Sequence, residues 1–458
     1  MPSHQPPPLL VLCNGHGEDV IALRLLEALH RRRPDQPLAV LPLVGGGEVF
    51  AAAEARGLLQ RLGPRLHLPS GGFSNQSPVG LLRDLGAGLP GLSLQQLRLV
   101  RRWGRRGHPV LAVGDLLPLL LAWAGGGPYG FIGTPKSDFT WTTPPPHGWG
   151  SSPLADAYHR CKGSEWDPWE WALMGQRRCR LVALRDRLSA RGLRRHGVRA
   201  LAPGNPMMDG LRTAPLPEVL RQHRRLLLLP GSRMPEALHN LERLLAALPD
   251  RSAPPTAGDP AGIGAGGWDR SDAGAAVPPP ITVLLTCGNR PTAAELAAPL
   301  RATGLRPVEP QDPTWRLAEA AGAQALWRRP GLDLWLGAGR FAAWAGWAEL
   351  GLACAGTATE QLVGLGIAAL SLPGAGPQFQ VGFARRQSRL LGGAVQPCPS
   401  PAALRRALLA LLADPDECRR RGRIGQRRMG PAGASDRLAA LIDQRLLEAP
   451  AGSAPTGG

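Results

Sequence analysis

Two loops in the second half of the chain contain residues that could hold phosphate groups. One runs from Pro230 to Glu236 after a run of leucines, and the other runs from Ala355 to Glu360 after another apolar run. Each pattern predicts a buried strand, a tight turn and a helix start, where backbone N–H groups without helical partners can bind an anion. Arg233 could add a bidentate contact with a phosphate. Together the two loops indicate a nucleotide site.

The second loop also carries hydroxyl and carboxylate groups. The hydroxyls of Thr357 and Thr359 could hold a pyrophosphate, and Glu360 could accept hydrogen bonds from ribose hydroxyls. The alternative is structural, because Thr357 as N-cap with Glu360 three residues later is also a capping box. The same alternative applies to the first loop. Further along, a polar loop from Pro373 to Gln380 could bind sugar hydroxyls or form a surface turn.

A third loop, near the start of the chain, could supply a general base. The segment from Asn14 to Asp19 places a histidine and two carboxylates in a glycine loop before a predicted helix. His16 could act as the base, whereas Glu18 and Asp19 could simply be favourable charges at a helix N-terminus. Asp115 is a second candidate base because it follows a predicted strand, and its alternative role is a helix cap.

Strand and helix patterns alternate along the chain. Strands are predicted at 9–13, 38–43, 110–113, 180–184, 225–229, 281–286, 332–336, 352–355 and 367–372. Helices are predicted at 18–32, 47–57 and 185–196, and in most gaps between the later strands. This order predicts an α/β protein with two Rossmann-like, doubly wound domains facing a central cleft.

The predicted domain boundaries follow the turn-rich and low-complexity segments. The first domain is predicted at 1–210 and the second at 211–430, with a disordered insertion at 249–280 that is rich in Pro, Gly and Ala. A C-terminal helix and flexible tail are predicted at 431–458.

The net charge of +18 admits two explanations. Nucleic acid or an anionic membrane would suit it, but only two of the 53 basic residues are lysines, which also fits a compositional bias of the genome. Aromatic residues other than Trp are few and form no stacking platform, so we predict no nucleic-acid partner. The seven cysteines are scattered and contain no CxxC pair, which predicts neither disulfides nor a zinc site and suits a reducing cytosol.

A basic, leucine-rich segment from Pro78 to Arg106 could lie on an anionic membrane surface. Its alternative is an ordinary amphipathic helix with solvated arginines. The apolar stretch from Val110 to Ala124 is too short and too broken to span a bilayer. We therefore expect a cytoplasmic protein that is peripheral on the inner face of a membrane.

The two C-terminal loops resemble the motifs of a known family. Leu229 to Arg233 with Glu236, and Gly356 to Glu360, are similar to the two C-terminal-domain motifs of lipid-A-disaccharide synthases. The resemblance runs in order from about Leu9 to about Arg428. A mainly cyanobacterial, synthase-related subgroup is more similar still, on three segments: Asn14 to Asp19, Gly204 to Gly210, and Gly376 to Phe379.

The resemblance implies a fold and a function. These synthases are GT-B glycosyltransferases that join a UDP-linked diacylglucosamine to a second acylated glucosamine phosphate and release UDP. It implies an inverting reaction with a UDP-sugar co-substrate (of the UDP-diacylglucosamine or UDP-GlcNAc type), a lipid acceptor, no metal and no other cofactor. The donor-binding residues that it implies are Gly231, Ser232, Arg233, Glu236, Gly356, Thr357, Ala358, Thr359, Glu360 and Gln378. The acceptor loop would contain Asn14, Gly15, Gly17, Glu18 and Asp19, with His16 or Asp115 as the base.

The first half departs from the synthase pattern. The synthases carry Gly-Glu-x-Ser-Gly-Asp where this chain has Gly15 to Asp19, and of their paired carboxylates only Asp115 remains. The donor half therefore resembles the family better than the acceptor half does. Two other functions stay open: a UDP-sugar epimerase or hydrolase on the same fold, and a non-catalytic, membrane-associated nucleotide-sugar binding protein. The sequence makes no prediction of oligomeric state.

Overall fold

The structure is a computed structural model that describes residues 6–15, 17–64, 89–150, 152–249, 279–288, 290–374 and 379–448. Two predicted site residues, His16 and Gln378, lie outside these ranges, as do most of the predicted insertion at 249–280 and the predicted tail from 449 onward.

The chain forms two compact units. Unit 1 contains Met1–Trp141, Ser152–Asp209 and Gly430–Gly458, and unit 2 contains Thr142–Ser151 and Gly210–Met429. The chain therefore passes from unit 1 to unit 2 next to the turn-rich segment from Gly204 to Gly210.

One part of the predicted first domain belongs to the other unit. Residues 142–151 were predicted within the domain 1–210, but they group with unit 2. There the Nε of Arg389 donates to the carbonyl oxygen of Thr143 at 2.7 Å, and a guanidinium nitrogen of Arg428 donates to the Thr143 hydroxyl at 3.1 Å. Trp149 packs against the core of unit 2. Sequence periodicity carries no sign of such a crossing, since it reports only on contacts close in the chain.

Unit 1 is built on a parallel sheet, sheet A, with strand order β3-β2-β1-β4-β5-β6-β7. Its strands are β1 Leu9–Cys13, β2 Leu38–Pro42, β3 Gln60–Arg61, β4 Val110–Gly114, β5 Tyr129–Gly133, β6 Cys179–Leu184 and β7 Ala200–Leu201. Its helices, in chain order, are α1 Gly17–Arg32, α2 Ala51–Ala55, α3 Leu89–Arg105, α4 Leu116–Ala124, α5 Phe139–Thr142, α6 Pro153–Lys162, α7 Pro168–Met174 and α8 Arg187–Arg194.

The main strands of sheet A are short apolar runs with every residue buried, as expected for a parallel sheet covered on both faces. The predicted helix at 47–57 is replaced by a 3₁₀ turn, Glu48–Phe50, and the short α2. Gly47 begins this region in the left-handed conformation, and its Cβ would meet the Pro42 side chain at 2.5 Å. Strand β5 was not predicted at all, because Tyr129–Gly133 contains two glycines and few β-branched residues.

Unit 2 is built on a mixed sheet, sheet B, with strand order β10-β11-β12-β9-β8-β13-β14-β15. Its strands are β8 Arg224–Leu229, β9 Ile281–Cys287, β10 Arg306–Pro307, β11 Ala325–Arg329, β12 Leu332–Ala338, β13 Leu350–Ala353, β14 Ala368–Ser371 and β15 Val395–Pro397. Its helices are α9 Glu236–Leu245, α10 Ala293–Ala302, α11 Pro313–Ala320, α12 Phe341–Trp344, α13 Thr357–Gly364, α14 Val381–Leu390, α15 Pro401–Ala413 and α16 Pro415–Met429.

The strands predicted in this half are all present, with small shifts of their ends. The antiparallel pairs β10–β11 and β11–β12 were not predicted. A two-residue Pro330-Gly331 connection turns β11 back onto β12. The rest of sheet B is parallel, so the predicted doubly wound arrangement holds in both units.

The last described segment of the chain returns to unit 1. Helix α17, Ala434–Ile442, packs on α1, and Leu438, Ala439 and Ile442 are buried in the unit 1 core. The carboxylate of Asp209 accepts hydrogen bonds from the amides of Ala434 at 3.3 Å and Ser435 at 2.6 Å, at the start of this helix. The predicted C-terminal helix is thus a structural part of unit 1.

Helices α13 and α16 pack closely enough to exclude a methyl group. A Cβ on Gly422 would lie 1.9 Å from the carbonyl oxygen of Gly366, and a Cβ on Gly425 would lie 2.5 Å from that of Val363. Because α13 begins at Thr357, this packing fixes the position of the loop predicted to bind phosphate.

We expect Gly422→Ala to lower the free energy of unfolding by about 2–3 kcal/mol, because backbone atoms must move apart to admit the methyl group. The matched control is Gly382→Ala in α14, where a Cβ would have no neighbour within 4 Å. This control should be neutral or stabilising by up to about 1 kcal/mol, as helix propensity predicts. Urea denaturation of both variants measures the difference, and equal effects would contradict the close packing.

Candidate functional site

The loop after β8 lies at the switch point of sheet B. Strands β8 and β13 are neighbours, and the chain leaves β8 toward β9 on one side and β13 toward β14 on the other. Ligands of doubly wound sheets bind where the strand order reverses in this way, at the carboxyl ends of the strands. Both predicted phosphate-binding loops start at these two strand ends.

The two loops are in close contact. The amide of Cys354 donates to the carbonyl oxygen of Leu229 at 2.9 Å. Gly231 has a φ of 96°, and a Cβ there would lie 3.6 Å from the carbonyl oxygen of Cys354. A glycine is therefore needed to turn the first loop beside the second.

Arg233 and Glu236 follow the turn into α9. The side chain of Arg233 is half-buried, and burial lowers the pKa of its guanidinium, an effect that the nearby Glu236 carboxylate partly offsets. The Ala237 amide donates to the Arg233 carbonyl at 2.7 Å, so the loop continues directly into the helix. Ser232 is exposed. A cation and a hydroxyl thus lie next to the switch point.

The second loop forms the N-terminus of α13, and the capping-box alternative does not occur there. Gly356 is the N-cap, without a side-chain cap, so Thr357 is the first helical residue. Thr357 is exposed, whereas the buried Thr359 hydroxyl donates to the carbonyl of Ala355 at 2.6 Å. Within the described part of the chain, the backbone amides of Thr357, Ala358 and Thr359 donate no hydrogen bond. Glu360 is nearly buried.

Side chains from two helices, which sequence patterns did not single out, hold these loops. The buried Asn240 donates to the carbonyl of Pro230 at 3.1 Å and lies against Gly374, while Arg243 donates to the carbonyl of Pro373. From α14, the buried Gln387 donates to the carbonyl of Gly356 at 3.1 Å. These contacts orient the peptide groups at the ends of β8, β13 and β14.

Sheet A has its own switch point, between β1 and β4. The side-chain amide of Asn14, just after β1, donates to the carboxylate of Asp115, just after β4, at 3.1 Å. The two predicted loops of the first half are therefore joined directly. His16, the alternative base, lies outside the described residues.

Asp19 stabilises the loop after β1 through a hydrogen bond to its backbone. It is 6% exposed, and its carboxylate accepts a hydrogen bond from the amide of Gly15 at 3.0 Å. Burial raises the pKa of Asp19 to about 6. Glu18 and Gly17 lie in the first turn of α1. Asp19 thus shapes the turn rather than acting only as a favourable charge at the helix start.

Asp115 also has the structural role given as its alternative, since it caps α4 by accepting a hydrogen bond from the Leu117 amide at 3.2 Å. Burial raises the pKa of its carboxyl group, and hydrogen bonds and the charge of Lys136 partly offset this. A carboxylate of raised pKa at the carboxyl end of a strand can accept a proton, so the cap and the candidate base are compatible roles.

A charged cluster follows β5 and was not predicted. Lys136 lies 2.6 Å from a carboxylate oxygen of the fully buried Glu170 and 3.7 Å from Asp167. Lys162 makes an ion pair with the same Asp167. Although burial by itself raises the pKa of Asp167, the two lysines hold it below its usual range.

One signal in the sequence could have located this cluster. Lys136 and Lys162 are the only lysines in a chain with 53 basic residues, and both contact Asp167. Lys162 has 6% of its side chain exposed, which leaves little room for the larger guanidinium of arginine. Two lysines in a strongly arginine-biased sequence are therefore a signal that the residues around them belong to one cluster.

A second buried polar network lies beside the first. Asp138 accepts a hydrogen bond from the amide of Glu165 at 2.7 Å, and the Glu165 carboxylate accepts one from the hydroxyl of Thr140 at 2.7 Å. Asp138 is 1% exposed, and burial raises its pKa to about 6. Both networks lie past the carboxyl end of β5.

The predicted membrane segment is described only from Leu89 onward, as α3. Leu92 and Val100 are buried, so these two side chains are not available to a membrane, whereas Leu94 is 46% exposed. The arginines face solvent: Arg98, Arg101, Arg102, Arg105 and Arg106 are all exposed. Over the described residues, no helix is long and apolar enough to cross a bilayer, and no group of three or more His, Cys, Asp or Glu side chains could hold a metal ion.

The same two-unit architecture occurs in solved structures of low sequence identity. Staphylococcus aureus MnaA, solved with UDP, is 12% identical, with 97% of this chain and 99% of that chain covered at a TM-score of 0.53. The UDP-GlcNAc 2-epimerase from Neisseria meningitidis, solved with UDP-GlcNAc, is 11% identical, with 95% and 100% covered and a TM-score of 0.51. Acinetobacter baumannii MurG is 12% identical, with 96% and 100% covered and a TM-score of 0.50.

The chain has the GT-B fold. No protein-family model and no curated protein sequence matches the chain. The predicted fold class is therefore confirmed, whereas the resemblance to lipid-A-disaccharide synthases is supported only at the level of this fold.

The raised pKa of Asp138 predicts a pH dependence of stability. Between about pH 4 and pH 6 the carboxyl group of Asp138 is protonated in the folded protein and ionised in the unfolded chain. Protonation of Asp138 therefore stabilises the fold fully below about pH 4, and this contribution is lost as the pH rises through about 6. Asp138→Asn should remove about 2–3 kcal/mol from the change in unfolding free energy between pH 4 and pH 7. Urea denaturation at the two pH values measures this change.

The control for this experiment is Asp35→Asn, a substitution of an exposed carboxylate. It should leave the pH dependence as in the unmodified protein. An asparagine at 138 can still accept the hydrogen bond from Glu165, so the variant should fold. The same slope in Asp138→Asn and the unmodified protein would exclude Asp138 as the titrating group.

Proposed function

We propose that the protein is a UDP-sugar-dependent glycosyltransferase that transfers a sugar to a lipid-linked acceptor. The observation that carries the proposal is the pair of loops at the switch point of sheet B, which bring Arg233 and the amides of Thr357 to Thr359 to neighbouring strand ends. A cation and a helix N-terminus together suit a diphosphate. Solved GT-B structures with UDP or UDP-GlcNAc add support for a UDP-sugar as ligand.

In the proposed donor step, the diphosphate binds the first loop and the α13 N-terminus. The acceptor hydroxyl oxygen bonds to the anomeric carbon as the bond from that carbon to the UDP oxygen breaks, with inversion. Negative charge then develops on the departing UDP, where Arg233 and the α13 amides would stabilise it. Glu360 would accept hydrogen bonds from the ribose hydroxyls, with Ser232, Glu236 and Gln378 completing the donor contacts.

The proton released by the acceptor hydroxyl needs a base, and Asp115 and His16 are the two candidates for it. Asp115 has a raised pKa, which suits a group that must hold a proton during the reaction. The loop from Asn14 to Asp19 would contact the acceptor. We place this reaction at the cytoplasmic face of a membrane, without a metal and without a cofactor besides the UDP-sugar.

The second candidate is a UDP-sugar epimerase or hydrolase, because a UDP-GlcNAc 2-epimerase has the same fold. The two functions differ in their need for a lipid. Incubation of the protein with UDP-sugars, with and without a total lipid extract, followed by mass spectrometry, separates them. A glycolipid that forms only when extract is present supports transfer to a lipid acceptor, which in a synthase-like reaction would be an acylated glucosamine phosphate. If the protein instead epimerises or hydrolyses the UDP-sugar without lipid and forms no glycolipid with it, the transferase proposal is excluded.

We expect Arg233→Ala to weaken UDP binding by about 10–100-fold, because a charge-assisted contact with the diphosphate is lost. The control is Arg316→Ala, an exposed arginine on α11 of the same unit. Isothermal titration calorimetry with UDP measures both affinities. Equal affinities of the two variants would show that the diphosphate does not bind beside Arg233.

If Asp115 is the base, Asp115→Asn should lower the transfer rate by about 10²–10⁴-fold while UDP affinity stays within about twofold. Asparagine keeps the cap of α4, because its carbonyl oxygen can accept from the Leu117 amide. His16→Ala, measured in the same lipid-extract assay, tests the alternative base. Full activity in both variants would mean that the acceptor site lies elsewhere.

A further inference from the structure

Helix α4 exposes only apolar side chains to solvent. Its sequence from Leu116 to Ala124 contains no charged or polar side chain. One face packs into the unit 1 core through Leu119 and Ala122. The other face carries Leu117, Leu120 and Trp123 at spacings of three residues, and they are 41%, 42% and 37% exposed. A helix that is apolar all round is normally buried, so this face lacks the polar residues that water contact favours.

The exposed charged side chains of α3, the helix that packs beside α4, are all positive. Helix α3 exposes Arg98, Arg101, Arg102 and Arg105, together with the apolar Leu94. From residue 85 to residue 137 the chain contains a single acidic residue, Asp115. Among the residues described, none of these four arginines forms an ion pair with a carboxylate.

Helix α16, which is also rich in arginine, differs from α3 in this respect. In α16, Glu417 makes ion pairs with Arg420 and Arg421, and Asp416 makes one with Arg419. Within the described residues, the arginines of α3 thus lack the acidic partners that the arginines of α16 have.

The charged and apolar groups belong to one continuous surface. Arg101 of α3 donates to the carbonyl of Ala124 at 3.5 Å, and Arg178 donates to the carbonyls of Trp123 at 3.2 Å and Gly127 at 3.1 Å. Two guanidinium groups thus lie at the C-terminal end of α4, directly beside Trp123. Amphipathic side chains with a tryptophan and flanking arginines are typical of the interface between an anionic bilayer and water.

We infer that the face formed by Leu117, Leu120 and Trp123, with the exposed arginines of α3, binds the surface of an anionic lipid bilayer. The three apolar side chains enter the headgroup region, and the arginines contact lipid phosphates. The inference differs from the sequence-based one, which used the segment from Pro78 to Arg106, because Leu92 and Val100 of that segment are buried. The link between membrane binding and a lipid-linked acceptor rests on the proposed function, whereas membrane binding itself does not.

The position of this face suits a lipid-linked acceptor. Asp115 caps the N-terminus of α4, two residues before Leu117. One short helix therefore has the candidate base at its start and the bilayer-binding side chains along its length. An acceptor sugar could reach Asp115 while its acyl chains remain in the membrane.

The experiment measures partition of the full chain onto vesicles by flotation. The vesicles are phosphatidylcholine alone, or phosphatidylcholine with about 30% phosphatidylglycerol. The apolar variant combines Leu117→Gln, Leu120→Gln and Trp123→Gln, since glutamine preserves helix propensity. Its control combines Leu154→Gln and Trp169→Gln, which replace the same residue types at positions 85% and 55% exposed elsewhere in unit 1.

A charge variant combines Arg98→Gln, Arg102→Gln and Arg105→Gln, and its control combines Arg160→Gln, Arg191→Gln and Arg195→Gln, which are exposed arginines elsewhere in unit 1. We expect the apolar variant to reduce partition onto anionic vesicles by about tenfold or more. The charge variant should reduce it about tenfold on anionic vesicles and little on neutral ones. Both control variants should bind as the unmodified protein does.

Three outcomes would overturn the inference: no vesicle binding by the unmodified protein, equal binding by the apolar variant and its control, or self-association through this face. The last would appear as a dimer in sedimentation velocity that the apolar variant abolishes, without vesicle binding. Calorimetry with UDP, whose proposed loops are in unit 2, verifies that each variant is folded. Vesicle binding without sugar transfer would leave this inference standing and exclude the proposed function, and transfer without vesicle binding would do the reverse.

Discussion

The pairing of β8 with β13 is the constraint on which the geometry of the second unit depends. Parallel neighbours at a switch point send their chains away in opposite directions, which leaves a gap above the strand ends where no loop crosses. The hydrogen bond from the amide of Cys354 to the carbonyl of Leu229 keeps the two strands paired to their C-terminal ends. The peptide groups of the two loops and the N-terminus of α13 then lie close together.

The first unit meets the same constraint with charged side chains. Its switch point joins Asn14 to Asp115. Lys136, just after the neighbouring strand β5, pairs with the buried Glu170, and Lys162 pairs with the part-buried Asp167. Burying these charges costs free energy, which an apolar core of the same size would not. The fold tolerates the cost where unit 1 has its strand ends, which is also where a polar substrate would be bound. Structural stability alone gives no reason for this placement.

Much of the fold could be predicted from the sequence, because buried parallel strands are continuous apolar runs and their helices follow at regular spacing. The two loops from Pro230 and from Ala355 were found in this way. The network around Lys136 was missed because β5 is short and glycine-containing, and because its partners Asp167 and Glu170 are more than 30 residues away. Asn240 and Gln387 were missed for a related reason: each looks like an ordinary polar residue until the loop that it supports is in place.

The return of the chain to unit 1 through α17 has a consequence for biosynthesis. The α1 surface is completed by Leu438, Ala439 and Ile442. The Asp209 carboxylate accepts hydrogen bonds from the amides of residues 433, 434 and 435. The first strands of unit 1 are thus synthesised before unit 2, but the core of unit 1 can close only after the helix at 434–442, which follows all of unit 2, has left the ribosome. Until then its nascent part keeps an apolar face uncovered, so the order of synthesis and the order of completion are opposite for the two units.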